Sequence, residues 1–132
     1  MIPPEVKELF ENSKLVSFGT ADKEGNPNVV PIFWKKILDE DRIILLDNFM
    51  QTTKENISQN KKVCLSFWDP DTEESYKIKG DAIYHSRGPI YEKGREFMQS
   101  KKKDKTPKGV VEIIVTEIYT IKPGPDAGKK IA

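Results

Sequence analysis

At 132 residues the chain supports one domain around one core and leaves little room for a second. It is 36% hydrophobic and 33% charged, and its 22 Lys+Arg against 21 Asp+Glu leave a formal charge of +1; that balance argues against a nucleic-acid binder, which needs a basic surface to neutralise phosphates. Cys64 is the single cysteine, which excludes an intramolecular disulfide and a cysteine-rich metal site, and no apolar run approaches the ~20 residues of a transmembrane helix.

The start, Met1-Ile2-Pro3-Pro4-Glu5, has neither the basic region nor the apolar core of a signal peptide, so a cytoplasmic protein without a membrane partner is expected. Pro3 and Pro4 suit the first turn of a helix, and Val6, Leu9 and Phe10 fall on one face of it before Asn12-Ser13 ends it. Leu15 to Ala21 reads as a strand, closed by the polar loop Asp22 to Pro27. Asn28 to Ile37 reads as one second strand. Pro31 within it lacks the N–H a central strand needs, so it marks an edge, a bulge or a ligand-facing position. After a turn at Leu38-Asp39-Glu40-Asp41, the nearly continuous apolar run Arg42 to Leu46 predicts a third strand buried on both faces.

Thr52 and Glu55 stand at capping-box spacing, which predicts a short helix near Thr53 to Gln59. Lys62 to Trp68 is a fourth strand, with Val63, Leu65 and Phe67 turned to one face and Cys64 read as a buried structural thiol. Ser75 to Ser86 is a fifth, bent at Gly80-Asp81, and a helix follows from about Ile90 to Lys101. The run Lys101-Lys102-Lys103 reads as its solvated end. Val110 to Ile121 is a long β-branched strand, and the tail from Pro123 is irregular. Six strands with hairpin-length connections and two to three short helices predict a mainly β fold, a closed or half-closed six-stranded antiparallel barrel.

His85 is the only histidine, which excludes a multi-histidine metal site, and no nucleophile elbow, P-loop or dinucleotide fingerprint occurs. No metal site is expected. What remains is binding. A helix starting near Gln51-Thr52-Thr53-Lys54 offers free N–H groups, hydroxyls and a cation to a phosphate, or the threonine simply caps the helix. The apolar strand Val30 to Trp34 offers a wall for a planar ring, or plain core or dimer surface.

Taken in order, several short motifs make the chain resemble the FMN-binding split-barrel proteins related to pyridoxamine 5′-phosphate oxidase. They are Thr20-Ala21-Asp22 with Gly25-x-Pro27-Asn28-Val29-Val30-Pro31, then Asp47-Asn48-Phe49-Met50 before Thr53-x-Glu55-Asn56-Ile57. Tyr76-x-Ile78-x-Gly80 and Pro123-Gly124-Pro125-x-Ala127-Gly128-Lys129 follow. The resemblance implies an FMN-binding flavoprotein and flavin-dependent oxidoreductase, a homodimer with FMN at the subunit interface. It implies that Val30, Pro31, Ile32 and Phe33 line the ring with backbone groups, that Asp47, Asn48, Phe49 and Met50 pass beside it, and that Thr52 and Thr53 hold the phosphate. Related chains often carry a lysine or arginine where Thr52 stands, so Lys54, or a lysine of the other subunit, is the expected cation. The alternatives are a non-catalytic FMN electron carrier and a split barrel that binds deazaflavin or haem. No general acid or base stands out among these residues, and the sequence names no redox partner.

Overall fold

The computed structural model describes residues 1–132, and every predicted helix and strand has a counterpart in it. In chain order these are α1 (Pro4–Asn12), β1 (Val16–Ala21), β2 (Pro27–Ile32), β3 (Lys35–Ile37), β4 (Arg42–Asp47), α2 (Gln51–Gln59), β5 (Lys62–Trp68), β6 (Ser75–His85), α3 (Pro89–Lys101) and β7 (Gly109–Thr120). The seven strands form one antiparallel sheet in the order β2-β1-β5-β6-β7-β4-β3. The fold is mainly β, as the sequence predicts, with seven strands instead of six.

The extra strand comes from the segment Asn28 to Ile37, which is two strands and not one. β2 pairs with β1, placing Pro31 opposite Ser17, whereas β3 pairs with β4. These strands are the two ends of the sheet, yet only Phe33 and Trp34 separate them. Three Cα steps of about 3.8 Å cannot cross a flat sheet of this width. The sheet therefore curls until its edges meet, and the Phe33-Trp34 link is the seam of the split barrel. Pro31 sits on an edge strand, where its missing donor is tolerated.

The inner face is lined by Phe18, Ile43, Leu45, Leu65, Phe67, Ile78, Ile113 and Ile118, all essentially inaccessible to solvent. Helix α1 adds Val6, Leu9 and Phe10 to this core, and the Phe10 ring meets Phe67 edge-on at 5.3 Å. Strand β4 is buried on both faces, as its apolar run predicts. Ile43 and Leu45 point inward, while Ile44 and Leu46 pack outward with Met98 of α3 and Val110. The tail returns along β7, where Ile131 N–H donates to the Ile118 carbonyl at 2.8 Å, and it is irregular apart from one bridge between Tyr119 and Lys130.

Two local expectations are corrected. Helix α2 begins at Gln51 and Thr52 lies inside its first turn, so Thr52 and Glu55 form no capping box. The turn into the helix is instead organised by Asp47, whose Oδ1 accepts the Met50 N–H at 2.7 Å, and Glu55 takes a bond from Gln51 Nε2 at 3.1 Å. Cys64 is half-buried and not buried, on the outward-facing side of β5, where desolvation pushes its thiol pKa up.

Candidate functional site

The seam sets up a cleft. The Leu46 N–H donates to the Trp34 carbonyl at 3.0 Å, tying the end of β4 to the β2–β3 link. Between these segments lies a cavity of about 440 Å³, walled by residues 30–34 on one side and by Leu46, Asn48, Phe49 and Met50 on the other. Beside it is a more polar cavity of about 260 Å³, lined by Asp47, Gln51, Lys54, Tyr84 and Lys108. Phe49 and Met50 line both. Phe49 is 93% exposed and Phe33 51%, so large aromatic surface faces solvent at the mouth.

Nine of the eleven residues singled out in the sequence line one or other cavity: Val30, Pro31, Ile32, Phe33, Asp47, Asn48, Phe49, Met50 and Lys54. The other two stand apart from the walls. Thr52 is exposed on α2. Thr53 is 1% exposed, and its hydroxyl accepts Asn28 Nδ2 at 3.4 Å. With Asn56 Nδ2 donating to Thr20 Oγ1 at 3.0 Å and Ile57 in the core, this bond fastens α2 across β1 and β2. The helix start thus has a fixed position relative to the cleft.

The electrostatics of the polar cavity are layered. Asp47 is 3% exposed, and its second carboxylate oxygen takes the Tyr84 hydroxyl. Burial first, then this bond to a carboxylate, pushes the Tyr84 pKa well above the ordinary phenol range. Both Asp47 oxygens are therefore engaged at neutral pH. Above them stand two exposed cations, with Lys54 Nζ 5.0 Å from the centre of the Tyr84 ring and Lys108 Nζ 5.8 Å from that of Phe49. The outer layer of this cavity is cationic, and its carboxylate is held beneath.

Lys108 and Tyr84 are the residues that sequence reasoning missed. Lys108 lies in the loop Thr106-Pro107-Lys108-Gly109 and has no local partner to announce it. It arrives through long-range pairing, since Asp47 faces Gly109 across β4 and β7, and the Lys108 N–H donates to the Asp47 carbonyl at 2.8 Å. His85 lies apart from the cleft lining, with Nε2 2.9 Å from Oε1 of the buried Glu112, which also takes Arg42 at 3.0 Å.

Replacing Tyr84 with phenylalanine leaves a buried Asp47 oxygen without its donor, a loss of about 1–3 kcal/mol. Urea unfolding at pH 7 measures it. The raised Tyr84 pKa also fixes a sign. Its stabilisation is complete below the ordinary phenol value of 10.0 and declines as pH rises above it, so the alkaline loss of stability is smaller in Tyr84→Phe than in the wild type.

Residues 2–122 match the sequence model of the family described as pyridoxamine 5′-phosphate oxidase. The chain is 40% identical over 130 residues to the uncharacterized protein MJ0282 of Methanocaldococcus jannaschii, covering 97% of this chain and 86% of that one. Among solved structures, HupZ of group A Streptococcus superposes with a TM-score of 0.85 at 30% identity, covering 97% of this chain and 100% of that one. A pyridoxamine 5′-phosphate oxidase-type protein of Lactobacillus delbrueckii gives 0.75 at 26% identity, with 89% and 92% covered. The fold alone is shared with three more distant structures: an FMN-binding protein of Syntrophomonas wolfei (TM-score 0.77, 14% identity), the haem storage protein HutZ of Vibrio cholerae (0.69, 15%) and an F420 reductase (0.66, 18%). Motif order, the curled antiparallel sheet and the family match agree: the chain belongs to the pyridoxamine 5′-phosphate oxidase-like split-barrel family.

Proposed function

We propose that this protein is a cytoplasmic, homodimeric flavoprotein that binds FMN without a covalent bond and acts as a flavin-dependent oxidoreductase. The observation that carries the reading is the pair of adjoining cavities of opposite character. An apolar one, bounded by the strand Val30 to Phe33, suits a planar tricyclic ring. A cationic one at the start of α2 suits a phosphate. FMN supplies the redox chemistry when bound. The protein's part is to hold it: backbone groups of Val30 to Phe33 along the ring, Asn48 to Met50 beside it, and the first N–H groups of α2 with Thr52, Lys54 and Lys108 around the phosphate.

Thr53 serves by holding the helix start against Asn28 and by offering its own backbone N–H. The Tyr84 hydroxyl is bonded to one Asp47 carboxylate oxygen, and the other oxygen takes the Met50 N–H. The exposed Val29, Phe33, Phe49 and Trp68 supply apolar surface for a second subunit, which would cover the open side of a ring lying across the seam.

Purified protein is expected to be yellow, to show a flavin spectrum, and to release a ligand with the mass of FMN. Colourless protein that takes up no added FMN overturns the reading, and release of haem or a deazaflavin redirects it to those ligands. Thr53→Ala is expected to weaken FMN binding by less than about tenfold, indirectly, because it removes the hydroxyl that holds the helix start against Asn28 while keeping the backbone N–H. His85→Ala is expected to leave binding unchanged, since His85 contacts Glu112 and not the cleft.

A further inference from the structure

Lys108 reaches the polar cavity on a stretch of backbone with few attachments. The link from α3 to β7 runs through residues 102–108, and Lys101 to Thr106 are exposed without interruption. Pro107 and Gly109 are buried on either side of the exposed Lys108, so the chain turns both neighbours inward and this one side chain out. Beyond the end of α3, two hydrogen bonds tie the link to the rest of the protein. The Tyr91 hydroxyl donates to the Pro107 carbonyl at 2.8 Å, and the Lys108 N–H donates to the Asp47 carbonyl at 2.8 Å. That carbonyl and that N–H belong to one planar peptide unit and point in opposite directions. Tyr91 and Asp47 therefore grip a single plane, the one from which the Lys108 side chain springs, from its two sides.

Both grips are themselves fixed. Asp47 is buried and holds the Met50 N–H and the Tyr84 hydroxyl. Tyr91 stands in the first turn of α3, with its ring packed against the cluster of Ile44, Leu46, Met98 and Val110. Gly109 completes the fit, because a Cβ there would collide with the Tyr84 hydroxyl. Tyr91 lines neither cavity of the cleft, so it can serve a ligand there only through Lys108.

An ammonium on a long stem loses rotamer freedom when it binds an anion, and a mobile backbone beneath it adds to that loss. Holding the peptide at the base of the side chain removes the backbone part in advance. Lys54 has no such need, since its N–H already bonds to the Met50 carbonyl within α2.

We propose that Tyr91 is a positioning residue for the phosphate end of the cleft: by holding the Pro107 carbonyl it fixes the peptide that carries Lys108, and so sets how much that lysine contributes to anion binding. This role rests on the flavin reading, because FMN is the anion taken to lie there. A Tyr91 that merely fastened α3 to the barrel would act on the fold and on every ligand alike.

Two measurements on the full-length protein and Tyr91→Phe separate these roles. Amide hydrogen exchange without ligand, followed by NMR, reads the grip: exchange of the Lys108 N–H is expected to quicken at least about tenfold, and that of the β5 amides by clearly less. Fluorescence titration reads its consequence, with FMN and with riboflavin, which has the ring but no phosphate. FMN affinity is expected to fall about three- to tenfold and riboflavin affinity by less than about twofold. In a Lys108→Met background, Tyr91→Phe is expected to change FMN affinity by less than about twofold, since no ammonium is left to place. Unchanged FMN affinity, equal loss of FMN and riboflavin, an undiminished effect in the Lys108→Met background, or unchanged Lys108 exchange overturns the proposal and leaves FMN binding standing. Wild-type protein that takes up no FMN removes the flavin reading and this role with it, so the wild-type titration tells the two failures apart.

Discussion

Reversing both Lys54 and Lys108 to glutamate is expected to abolish FMN retention while leaving the protein folded. The two ammonium groups come from α2 and from the loop before β7 and line the same small cavity at the helix start. A charge-assisted hydrogen bond contributes about 1.5–3 kcal/mol, so losing two corresponds to a fall of at least about 100-fold in affinity. Reversal adds repulsion between the phosphate and two carboxylates above the buried Asp47. Both side chains are exposed, and their contacts within the protein are the faces of Tyr84 and Phe49. Unfolding should therefore shift by no more than about 1 kcal/mol. The measurement is equilibrium titration of the apoprotein with FMN by flavin fluorescence, at low and high salt. Lys54→Met/Lys108→Met should fall between wild type and the reversal, and its binding should lose most of its salt dependence. An FMN affinity in the double reversal within a factor of about three of the wild type would mean that the phosphate lies elsewhere.

That prediction pairs a residue the sequence pointed to with one it could not. Lys54 was legible because it stands in a local pattern: a polar cluster at the start of a helix, next to the segment Asp47 to Met50. Local patterns in general carried through. Alternation in Lys62–Trp68 located β5 at its observed limits, the continuous apolar run in β4 foretold burial on both faces, and of the three positions that Pro31 allowed (edge, bulge or ligand-facing) the sheet places it on an edge strand. What the sequence concealed was pairing between distant strands. Nothing in Val30 to Ile37 punctuates the run at Phe33-Trp34, since the residues stay apolar or aliphatic-stemmed and include no glycine. The strand ends there because its partner changes from β1 to β4, a property of the closed sheet. Thr52 and Glu55 had the right spacing for a cap, but Asp47, further upstream, takes the Met50 N–H and the helix starts earlier than the pattern implied. Lys108 entered the cavity only because β7 lies beside β4.

Gly80→Ala is expected to destabilise the protein by about 3 kcal/mol, the upper part of the usual range for overpacking, with a fall in Tm of roughly 10 °C. A Cβ on Gly80 would lie 2.5 Å from the Ile114 carbonyl oxygen and 2.7 Å from Ile113 Cγ2, and the backbone atom cannot swing aside as a side chain could. The position matters because the β6–β7 register shifts between Lys79 and Gly80. On one side of the shift Ile78 faces Ile118; on the other Gly80 faces Val115, leaving Thr116 as the extra residue, with its hydroxyl on the Lys79 carbonyl at 3.2 Å. The bulge therefore changes which parity of β7 points inward, from Ile118 to Val115, Ile113 and Val111. Without it, a one-residue slip would turn those three outward and drive Glu112 into the core. β7 pairs on its other edge with β4, which sets Asp47 opposite Gly109, and the β6–β7 register beyond the bulge sets Tyr84 opposite Val111, within reach of the Asp47 carboxylate; the bulge thus positions Tyr84 in the floor of the polar cavity. Gly19→Ala is the matched control, because its added Cβ would make only an ordinary 3.6 Å contact with the Cys64 carbonyl. Urea unfolding of the two variants is expected to separate them by at least about 2 kcal/mol, and Gly80→Ala should also lose FMN affinity. Equal midpoints for Gly80→Ala and Gly19→Ala would mean that the bulge accommodates a side chain, and that the inward parity of β7 is set by something other than the close approach at Gly80.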